Sequence, residues 1–245
     1  MTCRAELLSV LMLIVSCSAV LLMARFFGKS GLFAYSAISV VGANIQVLKL
    51  TAYSTIGETV ALGTVLFSTT FLVDNILAEY YGAKTAERCV LASFSCYLFF
   101  TLIMRITIWH PEVANSGGCV NLHSELKNVF SPSWIFFVSS LISYVVGQFV
   151  DIFAFLCLKK LMKNKRILLR AFFAMALSTF ADNCVFSILA WIVFAEKPID
   201  LQTLWKTYIF IAYPIRLVIA VLCAPLVKLA GLIIPREPNV QEFRL

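Results

Sequence analysis

"STTFLVDNILAEYYG", residues 68–82, decides the fold. It lies in a run that otherwise reads as membrane-spanning, yet it carries Asp74, Asn75 and Glu79. The reading turns on what surrounds it. The 245-residue chain is 61% hydrophobic and 13% charged, whereas a soluble domain is about half apolar and a quarter charged. A soluble core would have no partner for so much apolar surface. A bilayer core takes about 20 apolar residues per helix. Seven runs qualify, approximately 6–26, 32–51, 59–81, 88–109, 132–158, 171–195 and 207–233. None alternates with period two for long, which argues against a transmembrane β-barrel. The expectation is an all-α integral membrane protein, a polytopic helical bundle forming a single membrane domain over residues 1–245. The long connection, about 110–131, is polar and contains Gly117 and Gly118.

The net charge of +7 would suit nucleic acid, but its distribution suits a lipid bilayer. With seven spans, thirteen of the twenty Lys and Arg fall on one side, six on the other, and Arg216 lies inside a span. The positive-inside rule then places the C-terminus in the cytoplasm and the N-terminus outside. The run "KKLMKNKR" (159–166) is the strongest contributor and reads as a retention signal in a cytoplasmic loop, not as an RNA site. Six of the eight cysteines, among them Cys17 and Cys223, lie in or beside spans, where they act as small apolar residues. There is no C-x-x-C pair and no Cys/His spacing for a metal, so no cofactor is expected. "IVSC" (14–17) resembles a lipoprotein cleavage box, but the apolar run continues past Cys17 where a polar tether would begin. Retention and removal of 6–26 both remain open at this level.

An ionisable residue inside a span is costly, roughly 2.5–3.5 kcal/mol for Asp at a helix centre, and by default marks function. At 1.5 Å per residue, Asp74 and Asp151 each lie about 11 Å from the cytoplasmic ends of their helices, Asp182 about 17 Å in, and Arg216 about 20 Å in. They share a slab from the inner leaflet to the midplane, where transporters hold substrate. Helical spacing adds faces: Thr70 with Asp74; Tyr144, Gln148 and Asp151; Ser178, Asp182 and Phe186; Tyr213 and Arg216. The plain alternative is that Asp182 and Arg216 are a buried pair tying helices together, with Asp74 and Asp151 bonded to Ser, Thr or backbone. Glu79 lies off the face of Asp74 and near the interface, which suggests an interfacial or loop-ordering role.

Catalysis has no support in motifs. There is no G-x-S-x-G, no H-E-x-x-H and no Gly-rich phosphate loop. His110 and His123 both fall in the long connection, away from any span.

Three segments resemble the bacterial queuosine precursor transporters, also called the vitamin uptake transporter family. They are "LFSTTFLVDNILAEYYGAKTAERCV" (66–90), "GQFVDIFAFLCLKKLMKNKRILLRAFFAMALSTFADNCVFSILAW" (147–191) and "YPIRLVIAVLCAPLVKL" (213–229). The resemblance covers about residues 40–230. It implies six spanning helices, from which this chain departs by the extra N-terminal apolar segment 6–26. It also implies the bacterial inner membrane and a small-molecule cargo: 7-cyano-7-deazaguanine, 7-aminomethyl-7-deazaguanine or queuine. An energy-coupling ATPase module is a possible partner by the same resemblance. The carboxylates suit that cargo. An acceptor-only carboxylate can take the ring N1–H and the exocyclic amine together. Gln148 or an Asn such as Asn183 can serve the carbonyl edge, and Phe186 can stack on the heterocycle. Asp182 and Asp74 are expected to contact cargo or the proton coupled to it. Asp151 and Gln148 complete the site with Thr70, and Arg216 neutralises a carboxylate when the site is empty. The competing reading is a non-transport membrane protein that uses these residues as interhelical ties.

Overall fold

The computed structural model describes residues 3–53, 58–111, 120–130, 134–195, 197–210 and 213–234. Helix α1 (Cys3–Gln46) is continuous in hydrogen bonding but broken in direction at Gly28, whose φ of 56° and ψ of −136° are non-helical. A straight helix from Ala5 to Gln46 would reach about 63 Å, twice a bilayer core. The break instead folds it into two antiparallel arms, 3–27 and 29–46. Their pairing shows in Tyr35, which meets Ser16 across the turn although 19 residues separate them. Only glycine adopts the Gly28 conformation without penalty.

The remaining long helices are α2 (Gly63–Tyr80), α3 (Ala83–Trp109), α5 (Trp134–Leu161), α6 (Ile167–Ile188) and α8 (Tyr213–Ile233). With the two arms of α1 they give seven membrane-length segments among the described residues. The protein is an all-α, multi-pass membrane bundle. Helix α2 is its centre. It packs against α1, α3, α5, α6 and α8. Fourteen of its eighteen residues are buried, so Asp74 and Asn75 face protein and not lipid. The lipid-facing flanks are apolar side chains such as Leu11, Phe99, Phe153 and Leu222.

Several expected boundaries move. The runs at 32–51 and 59–81 are not helical up to their facing ends. Between Gln46 and Gly63 the chain forms an antiparallel hairpin, β1 (Leu50–Tyr53) with β2 (Glu58–Ala61), in register Leu50↔Ala61 and Tyr53↔Glu58. "LTAY" and "ETVA" alternate with a β-branched bias too briefly to stand out from an apolar run. The polar connection at 110–131 contains a helix, α4 (Val120–Phe130). Gly117 and Gly118 lie outside the described residues, as do Arg236 and Arg244 of the charge count. Helix α6 starts at Ile167, four residues before the expected start, and takes Arg170 into the bundle. It ends in a π-helical turn, Leu189–Val193. Short α7 (Leu201–Thr203) and a second π-helical turn, Leu204–Ile209, precede α8.

Candidate functional site

At the hairpin end of the bundle a cavity of about 490 Å³ opens between the second arm of α1, α2, α5, α6 and α8. Its polar floor is Asp182 and Arg216, with Nη1 of Arg216 donating to Oδ2 of Asp182 at 2.5 Å. Asp182 comes from the interior of α6 and Arg216 from the first turn of α8, two helices that pack directly. The walls are aromatic. Phe186 stacks on Phe136 with centroids 6.4 Å apart, and Trp191 meets Phe136 edge-on at 5.3 Å. Phe67 lies under the Arg216 guanidinium, 6.0 Å from its centroid. Asn44, Tyr97 and Ser140 add polar groups. Val129 of α4 lines the mouth, and Phe130 anchors that helix by packing edge-on against Phe100. The chemistry on offer is a donor beside two acceptors, set between flat apolar faces.

Gly147 lets α5 approach this floor. A Cβ there would sit 2.9 Å from the Cβ of Asp182, closer than real carbons pack. Gly147→Ala should therefore push α5 off α6 and displace Asp182 from Arg216. The expected destabilisation is about 1–3 kcal/mol, as for other over-packed contacts. It is read as a lower melting temperature of the purified protein together with loss of function.

Deeper in the bundle lies a second polar layer, separate from the cavity lining. Gln148 Nε2 donates to Thr70 Oγ1 at 2.5 Å, joining α5 to α2. Ser178 Oγ donates to Asp151 Oδ1 at 3.1 Å, joining α6 to α5. Asp74 lies close enough to Asp151 for their charges to interact. Asp74, Asn75, Gln148 and Asp151 are all at most 1% exposed.

The far end of the bundle is closed by ions. Arg170 grips Glu79 through both terminal nitrogens, Nη2–Oε1 3.0 Å and Nη1–Oε2 3.2 Å, while Lys159 Nζ reaches Oε2 at 2.9 Å. One carboxylate thus ties α2, α5 and α6. The Arg170 guanidinium is 1% exposed and lies over Phe155 at 5.1 Å. Beside it Tyr80 Oη donates to the Val227 carbonyl of α8, over Gly231, where any Cβ would enter the Tyr80 ring.

The sequence candidates thus divide between two levels. Asp182, Arg216 and Phe186 share the cavity, and Asp182 and Arg216 are the ion pair that the plain alternative anticipated. Thr70, Gln148, Asp74 and Asp151 form the deeper layer. Asn183 is buried beside the floor and donates to the Ile209 carbonyl at 3.1 Å, holding the π-helical turn. Sequence reasoning missed Phe67, Phe136, Tyr97 and Trp191, because aromatic residues are scattered throughout and nothing marks those few. It also missed Arg170, which reads as one more charge of the basic loop. A signal was present: Glu79 faces inward from a helix end and needs a cation.

Comparison with known proteins agrees with this architecture. A family described as "Putative vitamin uptake transporter" matches residues 61–230. A protein of Bacillus subtilis (strain 168) named "Probable queuosine precursor transporter" is 26% identical over 220 residues, spanning 89% of this chain and 91% of that one. No solved structure matches.

Proposed function

Because the chain belongs to the vitamin uptake transporter family, we propose that it imports a 7-deazaguanine precursor of the tRNA base queuosine through the cavity at the hairpin end. The observation that carries this reading is the Asp182–Arg216 pair on the floor of an aromatic-walled cavity. A guanine-like edge presents one carbonyl oxygen, then a ring N–H, then an amine. An Arg donor beside two carboxylate oxygens is its complement. The volume falls in the range of small-molecule sites, roughly 300–1,000 Å³. Phe186 and its neighbours supply stacking faces for the heterocycle. The name of the Bacillus relative points to the same cargo class.

The basic loop sets the orientation in this reading. Lys159 to Arg166 lie at the end away from the cavity, so the cavity faces outside and the Glu79–Arg170–Lys159 cluster faces the cytoplasm of a bacterial inner-membrane protein. The chain is then caught open to the outside and closed within.

The test is genetic. The chain is expressed in a bacterium that neither makes nor imports queuosine precursors but can complete the modification. Each 7-deazaguanine is fed, and tRNA is assayed for queuosine. Restoration by one precursor is expected. No restoration by any, with the protein inserted, overturns the cargo assignment. The ion pair itself also fits a purely structural tie. Uptake that follows protein abundance alone through substitutions at Asp182 and Arg216 would favour that tie.

A further inference from the structure

Among the described residues, two buried carboxylates outside the cavity have no counterion. Asp74 is 1% exposed and Asp151 0%. The arginines of α6 and α8 are engaged elsewhere, Arg170 with Glu79 and Arg216 with Asp182. Around the pair the polar atoms are left over. Asp74 Oδ2, Asp151 Oδ2, Gln148 Oε1 and both side-chain atoms of Asn75 are buried without a hydrogen-bond partner among the described residues. Orphaned buried polar atoms are rare in folded proteins, and each calls for a physical account.

The groups converge because of spacing. Thr70 and Asp74 share one face of α2, and Gln148 and Asp151 share one face of α5. The Gln148–Thr70 bond clamps those faces together one turn from the carboxylates. Asn75 adjoins Asp151, near enough to act on its carboxylate but outside hydrogen-bonding geometry. Among the described residues, the other elements contribute neutral or weakly acidic neighbours. Helix α6 gives Ser178, α3 gives Cys89, and α5 itself gives Tyr144.

We propose that Asp74 and Asp151 form a proton-binding site, distinct from the cargo cavity, through which this transporter couples import to the proton gradient. The inference rests on the cargo reading above for the coupling and on the buried pair alone for the proton. Two unpaired carboxylates this close in a desolvated interior cannot both hold full charge. The ligand that removes charge at no steric cost is a proton. A metal ion fits worse, since only two carboxylates meet here and the described residues hold no cluster of three or more His, Cys, Asp or Glu. The step balances simply. Water on the outer side gives up a proton, one carboxylate of the pair gains an O–H, and after inward opening that O–H breaks and the proton passes to cytoplasmic water. The pair lies between the cavity floor and the ion-pair closure, at the α2–α5 contact. Its charge therefore bears on the helices that must part. A chain energised in this way needs no ATPase module.

Two measurements decide it. The first needs no cargo. Infrared difference spectra of the purified full chain between acidic and alkaline pH should show a titrating carboxyl C=O band that is lost in Asp74→Asn/Asp151→Asn. No such band, or a band unchanged in the double variant, overturns the site. The second uses proteoliposomes and 7-cyano-7-deazaguanine. With one proton per cargo, a one-unit pH gradient should sustain up to about tenfold accumulation and acidify the lumen. The double variant should lose both and still bind the compound. Accumulation by the double variant on a pH gradient, or by the wild type on a sodium gradient alone, overturns the coupling. If the wild type does not bind the compound, the cargo reading fails, and the infrared result still decides the proton site.

Discussion

Asp182→Asn is expected to cut cargo uptake by about 30-fold or more while the protein stays inserted at normal abundance. Truncating one partner of a buried, hydrogen-bonded charge pair costs about 2–5 kcal/mol, and 2 kcal/mol is already near 30-fold. Asparagine keeps the volume, so the helix contact survives. It replaces one acceptor oxygen by a donor, which would meet the donor edge of the proposed guanine-like cargo. It also leaves Arg216 without the carboxylate that Oδ2 supplies. Arg216→Met should be milder in binding if the carboxylate does the recognising, and equal if the pair acts as a unit. Transport and membrane abundance measured in the same cells separate this from a folding defect. Equal losses in both quantities would return Asp182 to a structural tie.

The second large effect lies at the other end and is one of stability. Glu79→Ala leaves the Arg170 guanidinium, 1% exposed, without the carboxylate that accepts two of its hydrogen bonds. Breaking a buried pair from one side costs about 3–5 kcal/mol, because a charge is left uncompensated. The single variant should melt far lower and accumulate poorly. Glu79→Ala/Arg170→Met should recover most of the loss, since the unpaired charge goes with its partner. Lys159 cannot substitute for either, being partly exposed and bonded to the same Glu79 oxygen as Nη1. A thermal-shift series on the purified variants reads the cycle. A double variant no better than Glu79→Ala would show that packing against Phe155, and not charge, holds this end.

Much of this fold was legible because bilayer length is a hard constraint. Apolar runs near twenty residues can only be helices, and Asp74, Asp151, Asp182 and Arg216 stand out against them. Depth put Asp182 and Arg216 in one slab with Asp74 and Asp151, and their pairing was the plain structural alternative. What failed to show was anything decided by contact across helices. The hairpin at Leu50–Ala61 hides inside apolar sequence because its strands are four residues long. Helix α4 hides in a polar loop, because its partner, Phe100 on α3, is distant in sequence. Arg170 hides among five loop cations, because helix α6 starts one turn sooner than its apolar run suggests. Phe67 and Trp191 differ from other aromatics only in what they face.

The turn at Gly28 has a consequence for how the protein is made. Both ends of the α1 hairpin emerge on the same side, and each arm is strongly apolar, so residues 3–46 can enter the bilayer as a pair as soon as they leave the ribosome. Helix α2 follows them, and it is not among the helices apolar enough to cross a membrane by composition. Vectorial synthesis thus lays down a protein wall before the span that needs one. Tyr35 waits on that wall for Thr69, which it meets at 2.7 Å. In an insertion assay residues 3–46 should integrate unaided, and α2 should integrate only when they precede it.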